Sequence, residues 1–267
     1  MLSGGSGNKK TPKTNTSWGK VANWYDELLE SDADSYQQKV ILPNLIRLLA
    51  PKAGERVLDL ACGSGFFSRV VASMGAEVYA TDISAELISL AKGKSTTNIR
   101  YYVGRGDSLS FLKEGSIDKA IIVLALQNIK EVRGTLKEVA RVLKPFGSLF
   151  IVLNHPVLRV PKASVWGFDE EKNVQYRRVD SYLSEASFEI DMNPSKVGGA
   201  KTLSFHRSLQ FYFKELRTAG FAVGTLEEWI SHKKSQKGPR QRAEDNARKE
   251  IPLFMCLGAY KLSGLKL

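Results

Sequence analysis

The chain has 267 residues, a hydrophobic share of 43% and a formal net charge of +11. That length suits one α/β domain with an insertion, and that hydrophobic share supplies a sizeable core. No apolar run approaches the roughly 18 residues that span a bilayer, and the two cysteines form no Cys-x-x-Cys or His/Cys cluster, which speaks against a zinc site or a disulfide framework. A reducing cytoplasm is the default location for such a chain.

Residues 1–17 are rich in Gly, Ser, Thr, Asn and Lys and lack an apolar segment. They read as a disordered basic tail rather than a secretory signal, leaving 18–267 as a single domain. Basic residues gather at Lys9 to Lys20 and again at Lys233 to Lys249. An RNA or anionic-surface contact is one reading. A solvated tail and a solvated helix face is the plainer one, because Glu244, Asp245 and Glu250 are mixed into the second cluster.

Asp34-Ser35 caps a helix expected over Tyr36 to Leu49, with Pro43 kinking it. Pro51 and Gly54 end it. Arg56 to Leu60 is an apolar run ending in Asp59, and Gly63-Ser64-Gly65 follows before an apolar, helix-compatible segment. This reads as strand, tight turn, helix start. Glycines there let a ligand approach the backbone, beside the free N–H groups of a helix N-terminus. Ala76 to Thr81 is the second strand and Asp82 closes it, a carboxylate suited to gripping ribose hydroxyls.

Two cofactor classes compete for this βαβ unit. The dinucleotide fingerprint needs a third glycine, where this chain has Ser68. Asp59 just before the turn would repel a pyrophosphate but suits a cationic, amino-acid-bearing ligand. S-adenosyl-L-methionine is therefore favoured over NAD.

Ser84 caps a helix containing Leu87, Ile88 and Ala91. The third strand is Ile99 to Val103, followed by Gly104-Arg105-Gly106-Asp107-Ser108. Ile117 to Leu126 alternates little, as a central parallel strand does, and makes the fourth. A helix over Glu131 to Leu143 and a fifth strand over Ser148 to Asn154 follow. Residues 155–207 depart from the α/β repeat. Val174 to Val179, Phe188 to Asp191 and Lys201 to His206 read as short strands of an antiparallel flap over the substrate mouth. Ser208 caps a helix to Ala219, Phe221 to Trp229 is the sixth strand, 239–250 a basic helix, and Leu253 to Leu262 the last strand.

Val57 to Gly65 resembles the first motif of class I S-adenosylmethionine-dependent methyltransferases, and Thr81-Asp82-Ile83-Ser84 resembles their second. The small-molecule group that includes ubiquinone/menaquinone-biosynthesis enzymes is the nearest in flavour. The resemblance covers residues 20–155 well. It implies a Rossmann-like α/β fold, with a seven-stranded mostly parallel sheet of order 3-2-1-4-5-7-6 and helices on both faces. It also implies cofactor contacts at Tyr25, Asp59, Ala61, Gly63, Gly65, Asp82, Ile83, Asp107, Ser108 and Leu126, with Asp107 accepting from the adenine amino group. No metal is called for.

Methyl transfer from a sulfonium is an in-line displacement in which the protein mainly aligns the acceptor. A base is needed only where the acceptor holds a proton. His155, after the fifth strand, and His206, at the end of the flap, are the candidate bases. Arg159, Arg177 and Arg207 could meet an acidic substrate group, although solvated surface is the default for any one of them. The expected partner is a small-molecule acceptor. The alternatives are an RNA-modifying enzyme using the basic tail and Lys233–Lys249, and a non-catalytic cofactor-binding protein. Neither an Asn/Asp-Pro-Pro-Tyr/Phe motif nor a Pro-Cys nucleophile follows the fourth strand, which lowers the nucleic-acid reading.

Overall fold

The computed structural model describes residues 18–19, 22, 26–27, 32–95, 98–191 and 201–262. The expected tail of residues 1–17 and the expected cofactor contact Tyr25 lie outside them. A helical segment opens the domain. Ser35 Oγ accepts the Gln38 N–H, Gln37–Ile41 forms a π-helical turn, and α1 (Leu42–Leu49) continues from it. Pro43 sits inside the helical run expected over Tyr36 to Leu49, where the π-helical turn passes into α1, and the Asn44 side chain donates to the Val40 carbonyl.

The sheet has seven strands. β1 (Arg56–Leu60), β2 (Glu77–Asp82), β3 (Ile99–Val103), β4 (Ile117–Val123) and β5 (Leu143–Asn154) alternate with helices α2 (Phe66–Ser73), α3 (Ala85–Gly93) and α4 (Val132–Val142). After β5 come two hairpins: β6 (Ser164–Asp169) with β7 (Val174–Val179), and β8 (Ala186–Asp191) with β9 (Lys201–His206). Then α5 (Leu209–Thr218), β10 (Phe221–Trp229), α6 (Gln241–Glu250) and β11 (Phe254–Lys261) complete the chain. The order is β3-β2-β1-β4-β5-β11-β10. The pairs among β1 to β5 are parallel, and β11 runs antiparallel to both its neighbours. This is the expected 3-2-1-4-5-7-6 order.

Alternation along β1 builds the two cores. Leu58 and Leu60 enter the cluster under α4 and α5. Val57, on the other face, joins Ile41, Leu45 and Val71. With both faces covered, β1 and β4 must be apolar along most of their length. Ser84 caps α3 by accepting the Leu87 N–H at 3.2 Å.

Three boundaries differ from the sequence reading. β4 stops at Val123, three residues early, because Leu124 turns to φ 52° and Leu126–Asn128 forms a 3-10 turn. β5 begins at Leu143, and its irregular register against β4 absorbs the Lys144 to Gly147 turn. β6 was missed. Its Gly167 faces Tyr176 across the hairpin, where a Cβ would fall 2.3 Å from the phenol ring. A strand whose centre must be glycine carries a weak strand signal. None of the described helices is long and apolar enough to cross a membrane.

Candidate functional site

The carboxyl ends of β1, β2 and β4 border one cleft with two lobes of about 140 and 360 Å³. Ala61, Asp82, Ile83, Asn128 and Ile129 are shared by both lobes. A cleft at this edge follows from topology, since β1 is where the strand order reverses.

The glycine turn forms the floor. Ala61 has φ 59°, Gly63 φ 58° and Gly65 φ 78°. The Cys62 N–H donates to Thr81 O at 3.0 Å, and the Gly65 N–H donates back to Cys62 O. Ala61 and Leu124 are non-glycine residues in the left-handed region, a costly conformation that clusters at binding sites. Gly63 lines the inner lobe. Gly65 does not; it caps α2 from beneath, against Tyr101 and Ala91.

Two carboxylates dominate the electrostatics. Asp59 is 2% exposed, and its Oδ2 accepts from Ser68 Oγ. Burial pushes its pKa up to about 7, against the pull of the Ser68 hydroxyl, and nearby Asp82 adds to the rise. Asp82 accepts the Gly63 N–H and the Ser84 N–H through separate oxygens. Burial raises its pKa too, opposed by those backbone donors. Among the described residues neither carboxylate has an ion-pair partner, and no lysine or arginine lines the inner lobe. A buried, uncompensated pair of acids is costly alone and favourable to a cation.

The outer lobe is lined by Thr81, Arg105, Asp107 and Asn128. Arg105 forks onto Asp107 through Nε at 2.9 Å and Nη2 at 2.7 Å, which holds the carboxyl below its ordinary range. The Thr81 Oγ1 and Asn128 Oδ1 atoms are buried with no hydrogen-bond partner. Both residues line the cleft, but these two oxygens are themselves closed off from it. The sequence reading missed Thr81 and Asn128. Asn128 follows β4 in a 3-10 turn, and a lone asparagine after a strand carries no signal of its own.

The remaining expected residues divide. Ile83 lines both lobes. Ser108 lines neither, and Leu126 is fully buried in the core. Neither histidine lines the cleft. His155 is 3% exposed. Its Nδ1 accepts the Leu158 N–H, so its Nε2 carries the hydrogen and donates to Glu228 at 2.6 Å. His206 Nε2 donates to the Tyr182 carbonyl at 2.7 Å. Part of the basic stretch after β10 is engaged. Lys233 pairs with Asp34, Arg240 with Glu170, and the Arg248 side chain donates to Ser235.

Residues 58–151 match the family described as Methyltransferase domain. The chain is 33% identical over 154 residues to demethylmenaquinone methyltransferase of Tropheryma whipplei (strain Twist), covering 55% of this chain and 62% of that protein. It is 33% identical over 128 residues to the ubiquinone biosynthesis O-methyltransferase of Xanthomonas oryzae pv. oryzae (strain PXO99A), covering 45% and 54%. The match thus spans little more than half the length of these relatives. Among solved structures, an S-adenosylmethionine-dependent methyltransferase from Mesorhizobium loti superposes with a TM-score of 0.66 at 26% identity, over 82% of this chain and 96% of that one.

Proposed function

We propose that this chain, whose residues 58–151 match the Methyltransferase domain family and whose fold resembles that of an S-adenosylmethionine-dependent methyltransferase, is an S-adenosylmethionine-dependent enzyme that methylates a small molecule. The observation that carries this reading is the pair Asp59 and Asp82, two buried acids without cations beside a lobe free of basic residues. A pyrophosphate would meet two acids and no basic side chain there. A sulfonium and an ammonium find compensation.

Bound in the cleft, S-adenosylmethionine supplies an activated methyl group with its leaving group attached. Asp82 keeps a free lone pair on each oxygen beyond its two backbone bonds, and these suit ribose hydroxyls. Asp107, held ionised by Arg105, accepts from the adenine amino group. Asp59, Ala61 and Gly63 shape the amino-acid end. Asn128 stands at the shared boundary of the two lobes. The protein's work is alignment. His155 and His206, committed to Glu228 and to the Tyr182 carbonyl, serve the architecture of the flap side. The two curated relatives with quinone names support a small acceptor over RNA.

The test is transfer of a labelled methyl group from S-adenosylmethionine to a panel of small molecules and to bulk RNA. Label in a small-molecule product is the expected result. Label confined to RNA would transfer the proposal to the nucleic-acid class.

A further inference from the structure

A second cavity, of about 240 Å³, opens at the ends of β5, β10 and β11. Three guanidinium groups line it: Arg159 after β5, Arg177 on β7 and Arg248 on α6. No carboxylate lines it, and among the described residues none of the three arginines makes an ion pair. The hydroxyls of Tyr36 and Ser231, 3.0 Å apart, complete the polar wall.

Each arginine is held by neutral acceptors. Arg159 Nη1 donates to Asn154 Oδ1 at 2.9 Å. Arg177 donates through Nε to Leu158 O at 2.9 Å and through Nη2 to Ser164 Oγ at 2.7 Å. Arg248 Nε donates to Ser235 Oγ at 3.1 Å. A guanidinium has five donors, so each keeps several for a ligand. Aromatic rings fix two of the planes: Arg159 lies over Phe254 at 5.7 Å and Arg177 over Trp166 at 5.1 Å. Arg159 is open to solvent by area, yet protein surrounds its head group, because its open surface is the wall of the cavity. Burial and the charge of Arg177 accordingly depress its pKa. Asp245, outside the cavity lining, acts on Arg248, but among the described residues no carboxylate acts on Arg159 or Arg177, and like charges clustered in one wall are costly in the free protein and complementary to a planar or tetrahedral anion.

We infer that the cavity walled by Arg159, Arg177 and Arg248 binds an acidic group, a carboxylate or a phosphate monoester, of the small-molecule acceptor. The acceptor clause rests on the methyltransferase reading; the anion site does not. Position supports the link. Asn154 ends β5, and β5 pairs with β4, whose carboxyl end borders the cofactor cleft. The nearest strands of the two sites, β4 and β5, are one spacing apart, and their centres, at β1 and β11, are three spacings apart, on the order of 15 Å along the same sheet edge. A small molecule anchored by its acidic end can reach that distance. Arg207, named with Arg159 and Arg177 from sequence, plays no part. It is 5% exposed and donates to the Leu126 and Lys130 carbonyls.

The experiment is calorimetric titration of the full chain with sodium phosphate, sodium succinate and uncharged succinamide, repeated on Arg159→Gln, Arg177→Gln, Arg177→Lys and Arg248→Gln. Phosphate or succinate should bind, succinamide should not, and each glutamine variant should weaken binding by about tenfold or more, with Arg177→Lys intermediate. Phosphate alone points to a phosphate ester, succinate alone to a carboxylate. S-adenosylhomocysteine titrated into the same samples reports folding and tests the cofactor reading separately. No anion binding to the wild-type chain, or equal binding to every variant that retains S-adenosylhomocysteine, overturns the site. In the labelled-methyl assay, Arg177→Gln should raise KM for an acidic acceptor with kcat unchanged. Turnover confined to uncharged acceptors overturns the acceptor clause and leaves the anion site to the titrations.

Discussion

The Asp82 carboxylate accepts the Gly63 N–H at 3.0 Å, tying the end of β2 to the turn that follows β1. One side chain thus fixes the glycine turn and faces both lobes of the cleft. Asp82→Ala removes the turn's anchor together with the two charge-assisted ribose bonds proposed for it, each of about 1.5–3 kcal/mol. S-adenosylhomocysteine affinity should fall by about a hundredfold or more by calorimetry. Asp82→Asn should lose nearly as much, because its amide must turn a donor toward one of the Gly63 and Ser84 N–H groups.

Asp59 should make cofactor binding depend on pH. Its folded-state pKa of about 7, raised by burial, lies above the unfolded value of about 3.9. Between those values the folded chain holds a proton that the unfolded chain has released, so this group's contribution to stability falls as pH rises through that window. Asp82, raised by burial as well, acts in the same direction. A cationic ligand favours the carboxylate, so binding should release protons. Affinity for S-adenosylmethionine should climb between about pH 6 and pH 8 and then level. Asp59→Asn should flatten that rise and increase thermal stability at the alkaline end, because a buried charge is gone. A pH-independent affinity in the wild-type chain would contradict this role.

Gly65 and Gly54 share nearly the same left-handed φ, 78° and 79°. Their surroundings differ. A Cβ on Gly65 would fall 2.5 Å from Tyr101 Oη and 3.2 Å from Ala91 Cβ, while Gly54 has nothing within 4 Å. Gly54→Ala should therefore cost only the backbone penalty, about 1–2 kcal/mol. Gly65→Ala should cost visibly more in urea unfolding and break the Ser95–Tyr101 hydroxyl contact. Equal losses would show that backbone conformation alone decides at Gly65.

His155 bridges the segment after β5 to Glu228 on β10. Its ring also accepts the Leu158 N–H, so truncation orphans a backbone donor. His155→Ala should destabilise the chain by about 1–3 kcal/mol. It should leave S-adenosylhomocysteine affinity near wild type. A loss of turnover at unchanged stability would instead place this imidazole in the chemistry.

The parts of the fold legible in the sequence were those with local punctuation. β3 and β10 fall where the apolar runs place them, and Ser84 caps α3 as its position before a helical periodicity requires. β1 and β2 were readable because each apolar run reaches a carboxylate and then a turn. β4 was overrun because Leu124 to Leu126 is as apolar as the strand before it. Only the backbone turn at Leu124 ends the strand. That Asp59, Gly63 and Asp82 meet in one cleft was legible because they share one βαβ unit. Asn128 and Arg248 were not. Arg248 joins Arg159 and Arg177 through packing of α6 against β7, a relationship across about seventy to ninety residues that no local pattern encodes.

The central claim is that the two uncompensated acids hold a sulfonium cofactor rather than a dinucleotide. Calorimetric titration with S-adenosylhomocysteine, with NADH as the control, tests it most directly. The account predicts binding in the micromolar range for the first, its loss in Asp82→Ala, and no heat from the second. Binding of NADH, or S-adenosylhomocysteine affinity that Asp82→Ala leaves intact, would contradict it.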